Sequence, residues 1–128
     1  MRVSQGSWSI DKHPAWEATE HPECLTLTLS DDGGALQLSS ARKDQGSVTP
    51  SDIQWCIEQL KVKSAPTSVT LGAFSGSSVS AHVNGSFWSW WILGCGPILL
   101  RVSYNGPPSA TATELPHVDS MLATLAAA

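Results

Sequence analysis

The chain has 128 residues and a mass of 13.6 kDa, the size of one ordinary domain. Apolar residues make up 41% and charged residues 14%, which excludes intrinsic disorder, a state that needs low hydrophobicity and high net charge. Seven basic and eleven acidic side chains leave a net charge of −4, which argues against nucleic acid as the partner because phosphate binding needs a basic face.

The opening residues Met1-Arg2-Val3-Ser4-Gln5-Gly6 contain no apolar signal core, so export by that route is not expected. No apolar run is long enough to span a membrane. Cys24, Cys56 and Cys95 are odd in number and widely spaced, which fits reduced, half-buried thiols in the cytoplasm better than a disulfide framework. The expectation is one domain over residues 1–128, with an ordered core from about 7 to 125.

Trp8-Ser9-Ile10 suits a short strand, whereas Asp11 to Glu23 carries two prolines and little periodicity. From Cys24 to Leu29 the chain alternates, with Leu25, Leu27 and Leu29 on one side, as a half-buried strand does. Asp31-Asp32-Gly33-Gly34 supplies turn residues, after which Leu36 and Leu38 alternate with Gln37 and Ser39. The two segments predict an antiparallel hairpin.

A helix start follows a polar loop. Thr49 suits an N-cap, Pro50 the first helical position, and Asp52 the third. Ile53, Cys56, Ile57 and Leu60 make one apolar stripe, and the helix is expected to end between Lys61 and Ser64, where Lys61 and Lys63 complement the dipole.

Val69, Leu71 and Ala73 then alternate, Phe74-Ser75-Gly76-Ser77-Ser78 interrupts the pattern, and Val79, Ala81 and Val83 resume it. Asn84-Gly85 between apolar alternations is a strong hairpin signal, since a type I′ turn needs positive φ twice. A strand from Phe87 to Leu93, a turn at Gly94-Cys95-Gly96-Pro97 and a strand carrying Ile98, Leu100, Val102 and Tyr104 complete a meander. Asn105-Gly106-Pro107-Pro108 stops it. After a Ser/Thr/Ala-rich loop, Leu115, Val118, Leu122 and Leu125 mark a final amphipathic helix, and the Ala126-Ala127-Ala128 tail is expected to fray. Short turns between consecutive strands require antiparallel pairing. The fold class expected is therefore α+β, an antiparallel sheet meander with two main helices packed on it.

Three segments together resemble small bacterial proteins of the Mog1/PsbP-like group. They are Trp8-Ser9-Ile10 to His13-Pro14-Ala15-Trp16, then Gly34-Ala35-Leu36-Gln37-Leu38-Ser39 running into Lys43-Asp44-Gln45-Gly46-Ser47-Val48-Thr49, and finally Phe87-Trp88-Ser89-Trp90-Trp91-Ile92-Leu93 with the strand and helix after it. The resemblance spans about Trp8 to Leu125. It implies a layered sheet-and-helix domain that binds other macromolecules, with immunity-type or secretion-accessory roles among its members, and it carries over no catalytic residue.

The sequence offers weak grounds for chemistry. His13, His21, Glu23 and Cys24 lie close in sequence but lack the paired spacing of a zinc motif, so no metal or other cofactor is expected. Gly72-Ala73-Phe74-Ser75-Gly76 resembles a nucleophile elbow with serine one position late, and His82 is expected to face solvent. Cys95 has no base or helix N-terminus beside it to favour a thiolate. The chain is therefore not expected to be an enzyme.

The six tryptophans are the informative feature. Alternation puts Trp88, Trp90 and Ile92 on one face of a strand and Phe87, Trp91 and Leu93 on the other. Either helices cover both faces, or one face bears an open aromatic patch. Trp55 lies opposite the apolar stripe of its helix, either as an exposed anchor or packed under the N-terminal segment. The function expected is a non-catalytic, cytoplasmic, protein-binding domain, neither nucleic-acid- nor membrane-bound, with Trp55, Trp91, Phe87, Asp31 and Asp32 as binding residues. The alternative is a small-molecule binder or enzyme with a tryptophan-lined pocket that uses His82 and Arg101.

Overall fold

A computed structural model describes residues 1–128. Seven strands form an antiparallel sheet. In chain order they are β3 (Glu17–Glu20), β4 (Leu25–Thr28), β5 (Ala35–Arg42), β6 (Thr67–Leu71), β7 (Phe74–Val83), β8 (Ser86–Cys95) and β9 (Ile98–Gly106). Across the sheet the order is β3-β4-β5-β9-β8-β7-β6. The early hairpin therefore joins the meander through the long β5–β9 pairing, from Ala35 opposite Asn105 to Arg42 opposite Ile98. Helix α1 (Pro50–Gln59) lies on one face and α2 (Pro108–Leu122) on the other. The expected α+β class, with a sheet meander packed against two helices, is the fold observed.

A second, three-stranded sheet was not foreseen. It runs β1-β2-β10, from β1 (Arg2–Gln5), β2 (Trp8–Asp11) and β10 (Ala126–Ala127). Ala126 pairs with Ser9 and Ala127 with Trp8, so the alanine tail expected to fray is a strand. β1 and β10 both lie outside the 7–125 core. Backbone pairing with β2 supplies the order that their side chains do not.

Leucine alternation reads the first hairpin correctly, for Leu25 pairs with Leu38 and Leu27 with Leu36, all four buried. The N-terminus of α1 also matches. The Asp52 amide donates to the Thr49 hydroxyl at 3.1 Å, and the Thr49 amide donates to the Asp52 carboxylate at 2.8 Å, a reciprocal capping box. The helix ends earlier than expected, with Leu60 as its C-cap, and Lys61 follows at φ 59. Lys61 and Lys63 lie past the last turn rather than in it.

Three boundaries depart from expectation for identifiable reasons. Phe74 to Ser78 does not interrupt the strand pattern. It belongs to the ten-residue β7, and the turn lies before it at Gly72-Ala73, with Leu71 opposite Phe74. Gly72 has φ +62, and a Cβ there would lie 2.0 Å from the Leu125 carbonyl oxygen, so only glycine fits. The turn after β8 is Gly96-Pro97, with Gly94 and Cys95 still in the strand. The segment from Ser109 to Thr113 is the first part of α2 rather than a loop, because Pro108 at the first position presets the helical φ.

The main core is a cluster of 18 buried residues on the α2 side. Trp91, Leu93, Leu100, Val102, Tyr104, Leu36 and Leu38 from the sheet meet Val118, Met121 and Leu122 of α2, with Trp8 and Ile10 from the small sheet. The α1 side holds a cluster of three, Ile57, Val79 and Ile92, with Ile53, Cys56, Leu60, Trp90 and Leu99 packed on it.

Candidate functional site

Register places Trp88, Trp90 and Ile92 of β8 on the α1 face. They stand beside Ala81, Val79 and Ser77 of β7 and Asn105, Ser103 and Arg101 of β9. Across β5 the same face continues through Ser39 and Gln37. The stripe of α1 covers the Ile92 end, and Leu60, at its C-terminus, reaches Trp90. Beyond Leu60 the face is open. Trp88 and Trp90 are half-buried and stacked on each other, ring centroids 5.4 Å apart and planes 14° from parallel. Residues two apart on a strand point the same way, so the stack is a direct product of the Trp-Ser-Trp sequence.

Two hollows flank the stack. The larger, about 1010 Å³, runs between the segment Leu60 to Ser64 and the β7–β8 hairpin, with Val83, Phe87, Trp88 and Trp90 supplying apolar wall. The Asn84-Gly85 turn closes that hairpin with φ 50 and 82, as the sequence predicts. The smaller hollow, about 220 Å³, lies between Leu60, Trp90 and Ile92 on one side and Arg101, Ser103, Gln37 and Ser39 on the other. Leu60 and Trp90 belong to both. Together the two hollows and the stack make one aromatic and polar surface.

The residues expected to bind a partner divide. Trp55 is 63% exposed on the outer side of α1. Phe87 is half-buried at the rim of the larger hollow, packed partly on the main core. Trp91 must be corrected. It is 7% exposed and sits in the core under α2, because alternation turns it to the covered face. Asp31 and Asp32 are exposed on the turn between β4 and β5, where Asp31 lines a separate polar hollow with Ser86 and Asn105. The surface made by Trp88, Trp90, Leu60, Lys61 and Lys63 was not singled out from sequence.

The groups weighed for chemistry are held elsewhere. His13 stacks on His117 at 4.2 Å. Its Nδ1 accepts the Ala15 amide, and the His117 Nδ1 accepts the Trp16 indole N–H, both at 3.0 Å. His21 is exposed, and its amide donates to the Cys24 carbonyl across the turn between β3 and β4. Ser75 is the exposed second residue of β7, and Cys95 a half-buried end of β8. Burial pushes the Cys56 thiol up, with Arg101 opposing, so Cys56 is a poor thiolate.

One buried polar unit lies on the opposite face. Glu114 of α2 is 2% exposed, and its Oε1 accepts the Tyr104 hydroxyl at 2.7 Å and the Gly34 amide at 2.8 Å. A Cβ at Gly33 would lie 2.1 Å from Glu114 Oε2, and one at Gly34 would lie 2.7 Å from the Tyr104 hydroxyl. Gly33-Gly34 is therefore room for a buried carboxylate as well as turn chemistry. This unit staples α2 to the hairpin.

No protein-family model and no curated protein matches the chain. Its architecture is similar to the crystal structure of a protein from Bacteroides thetaiotaomicron VPI-5482, solved at 1.50 Å, with a TM-score of 0.65 and 20% identity over 94% of this chain. The chain spans 45% of that protein's length. The likeness shows a shared fold. No helix is long and apolar enough to cross a membrane.

Proposed function

We propose that the chain is a non-catalytic binding domain that engages another protein through the Trp88–Trp90 face. The observation that carries this reading is the stacked, half-exposed tryptophan pair on a sheet area that α1 leaves open. Covering apolar surface is worth about 25 cal/mol per Å², and tryptophan is enriched among the residues that dominate interface energies. The hollows beside the stack are open to solvent, whereas a small-molecule site encloses most of its ligand. His82 and Arg101, the polar pair of the alternative reading, are set on opposite faces by register.

The resemblance to Mog1/PsbP-like proteins supports the same function and extends it to an immunity-type or secretion-accessory role. Three free cysteines, one just before β4, one on α1 and one at the end of β8, fit a reducing, cytoplasmic setting. The test is capture of a partner from lysate of the source organism on wild-type protein and on a folded Trp88→Ala/Trp90→Ala variant. A partner held by wild type and lost from the variant supports the reading. Equal retention by both, with loss on Trp55→Ala, would move the site to the outer side of α1.

A further inference from the structure

The Trp88–Trp90 face is also where the free positive charge of the chain gathers. Of its seven basic side chains, Lys12 is buried with its ammonium on the carbonyls of His13 and Trp16. Lys43 pairs with Asp52 at 2.8 Å, and Arg2 donates to the Thr124 carbonyl at 2.7 Å. Arg42, Lys61, Lys63 and Arg101 remain. Lys61 and Lys63 line the larger hollow and Arg101 the smaller one. No acidic residue lines either hollow. Acidic side chains lie outside the hollows: Glu23 adjoins Cys24 of the smaller one and lines a neighbouring hollow that shares Ser39, Asp52 is paired with Lys43, and Glu58 is exposed on α1. In a chain of net charge −4, a surface with three unpaired cations and no lining carboxylate is a local inversion of sign.

Resting on the protein-binding reading above, we propose that this face takes an acidic segment of the partner protein. Carboxylates of that segment meet Lys61, Lys63 and Arg101, and its apolar side chains pack against Trp88, Trp90 and Leu60. Complementary potentials across an interface set partner choice and encounter rate. A nucleic acid fits less well. Trp88 and Trp90 each cover one face of the other, whereas base binding uses open ring faces. A long polyanion would also extend past the three cations onto an acidic surface.

The test uses the isotope-labelled full chain and the indole N–H signals of Trp88 and Trp90. Three probes are titrated. One is a synthetic peptide alternating Asp and Glu with Leu and Trp, the second has lysine at every acidic position, and the third is an oligothymidylate. The acidic peptide is expected to shift both indole signals and the backbone signals of Lys61 to Lys63. Lys63→Glu, and separately Arg101→Glu, should weaken that binding by about tenfold, the effect of about 1.4 kcal/mol, with the fold intact by circular dichroism. If the lysine peptide shifts the same signals as strongly, the acidic-partner inference is overturned while the protein-binding face stands. Tighter binding of the oligothymidylate overturns it in favour of nucleic acid. If no probe moves the Trp88 and Trp90 signals, this inference and the choice of face both fall.

Discussion

The two faces of the seven-stranded sheet are covered to very different extents. On one side, α2 and the small β1-β2-β10 sheet close over a cluster of 18 buried residues. On the other, α1 closes over three. Simple lengths explain why. A helix of ten residues is about 15 Å long and about 10 Å wide, while a strand of ten residues such as β8 is about 33 Å long. One such helix therefore shields the middle of two or three strands and no more. The chain answers with composition. Where α1 lies, the sheet presents Val79 and Ile92; from β9 outward it presents Ser103, Gln37, Ser39 and Thr26. Trp88 and Trp90 break that polar trend with half-exposed aromatic surface on the part of the sheet that α1 leaves open.

The sharpest way to break this comparison is to truncate the same residue type on each face. Trp91→Ala should cost about 3–5 kcal/mol, as core aromatic truncations do, whereas Trp88→Ala should cost about 1 kcal/mol or less. Leu38→Ala and Leu122→Ala, both fully buried, should each cost about 2–5 kcal/mol. Gln37→Ala, exposed and next to Leu38 on β5, should stay within about 0.5 kcal/mol. Urea unfolding measures all five. Equal losses for Trp88 and Trp91 would mean that the α1 face is a second core.

A middle-sized effect is expected at the polar staple of the covered face. Glu114→Leu leaves the Tyr104 hydroxyl and the Gly34 amide without their acceptor, and each stranded group costs about 1–3 kcal/mol. Tyr104 is the chain's one tyrosine. Burial, and then the hydrogen bond to Glu114, push its pKa well above the ordinary value near 10. The folded state therefore holds this proton more tightly than the unfolded state. Stability is unaffected below about pH 10 and is lost as pH rises above it. Tyrosinate absorbance should accordingly appear together with unfolding. Its appearance near pH 10 in the still-folded protein would contradict the buried pair.

How much of this was legible differs between the faces. Leucine alternation in β4, β5 and β9 reports burial on one side directly, and Thr49, Pro50 and Asp52 announce α1 through capping chemistry that is local. The Trp88/Trp90 side of β8 was legible too, because alternation is local. Which side stays open was not, since it depends on how far a ten-residue helix reaches across seven strands. Glu114 was invisible for a similar reason. Its partners are Tyr104 and Gly34, the latter eighty positions away, and no spacing rule joins them. β1 and β10 carry few apolar side chains and owe their order to backbone pairing at opposite ends of the chain. The tail looked free for that reason.

Smaller effects belong to the helix that half-covers the open face. Thr49→Ala removes the hydroxyl that caps α1 and should cost about 1 kcal/mol. The Lys43 ammonium, and after it the Thr49 amide, hold the Asp52 carboxyl down to about 2. That value lies below the unfolded one near 4, so the contribution is present above about pH 4 and is lost as pH falls toward 2. Lys43→Ala should raise the Asp52 titration midpoint, read by carboxyl carbon NMR.

A change in stability of the smallest size is expected at Trp55, and it bears most directly on which tryptophans the proposed binding surface uses. Trp55 is 63% exposed and points away from the Ile53/Cys56/Ile57/Leu60 stripe, so the N-terminal segment does not cover it. Truncation to alanine removes little buried area, and alanine is the better helix former by a few tenths of a kcal/mol. Trp55→Ala should therefore change unfolding stability by no more than about 0.5 kcal/mol in either direction. A loss of several kcal/mol would show that α1 packs by its outer side and that the open face is smaller than described. With stability preserved, the same variant becomes a clean probe of binding. Loss of the partner from Trp55→Ala, with Trp88→Ala/Trp90→Ala unaffected, would put the interface on the outer side of α1, away from Trp88 and Trp90.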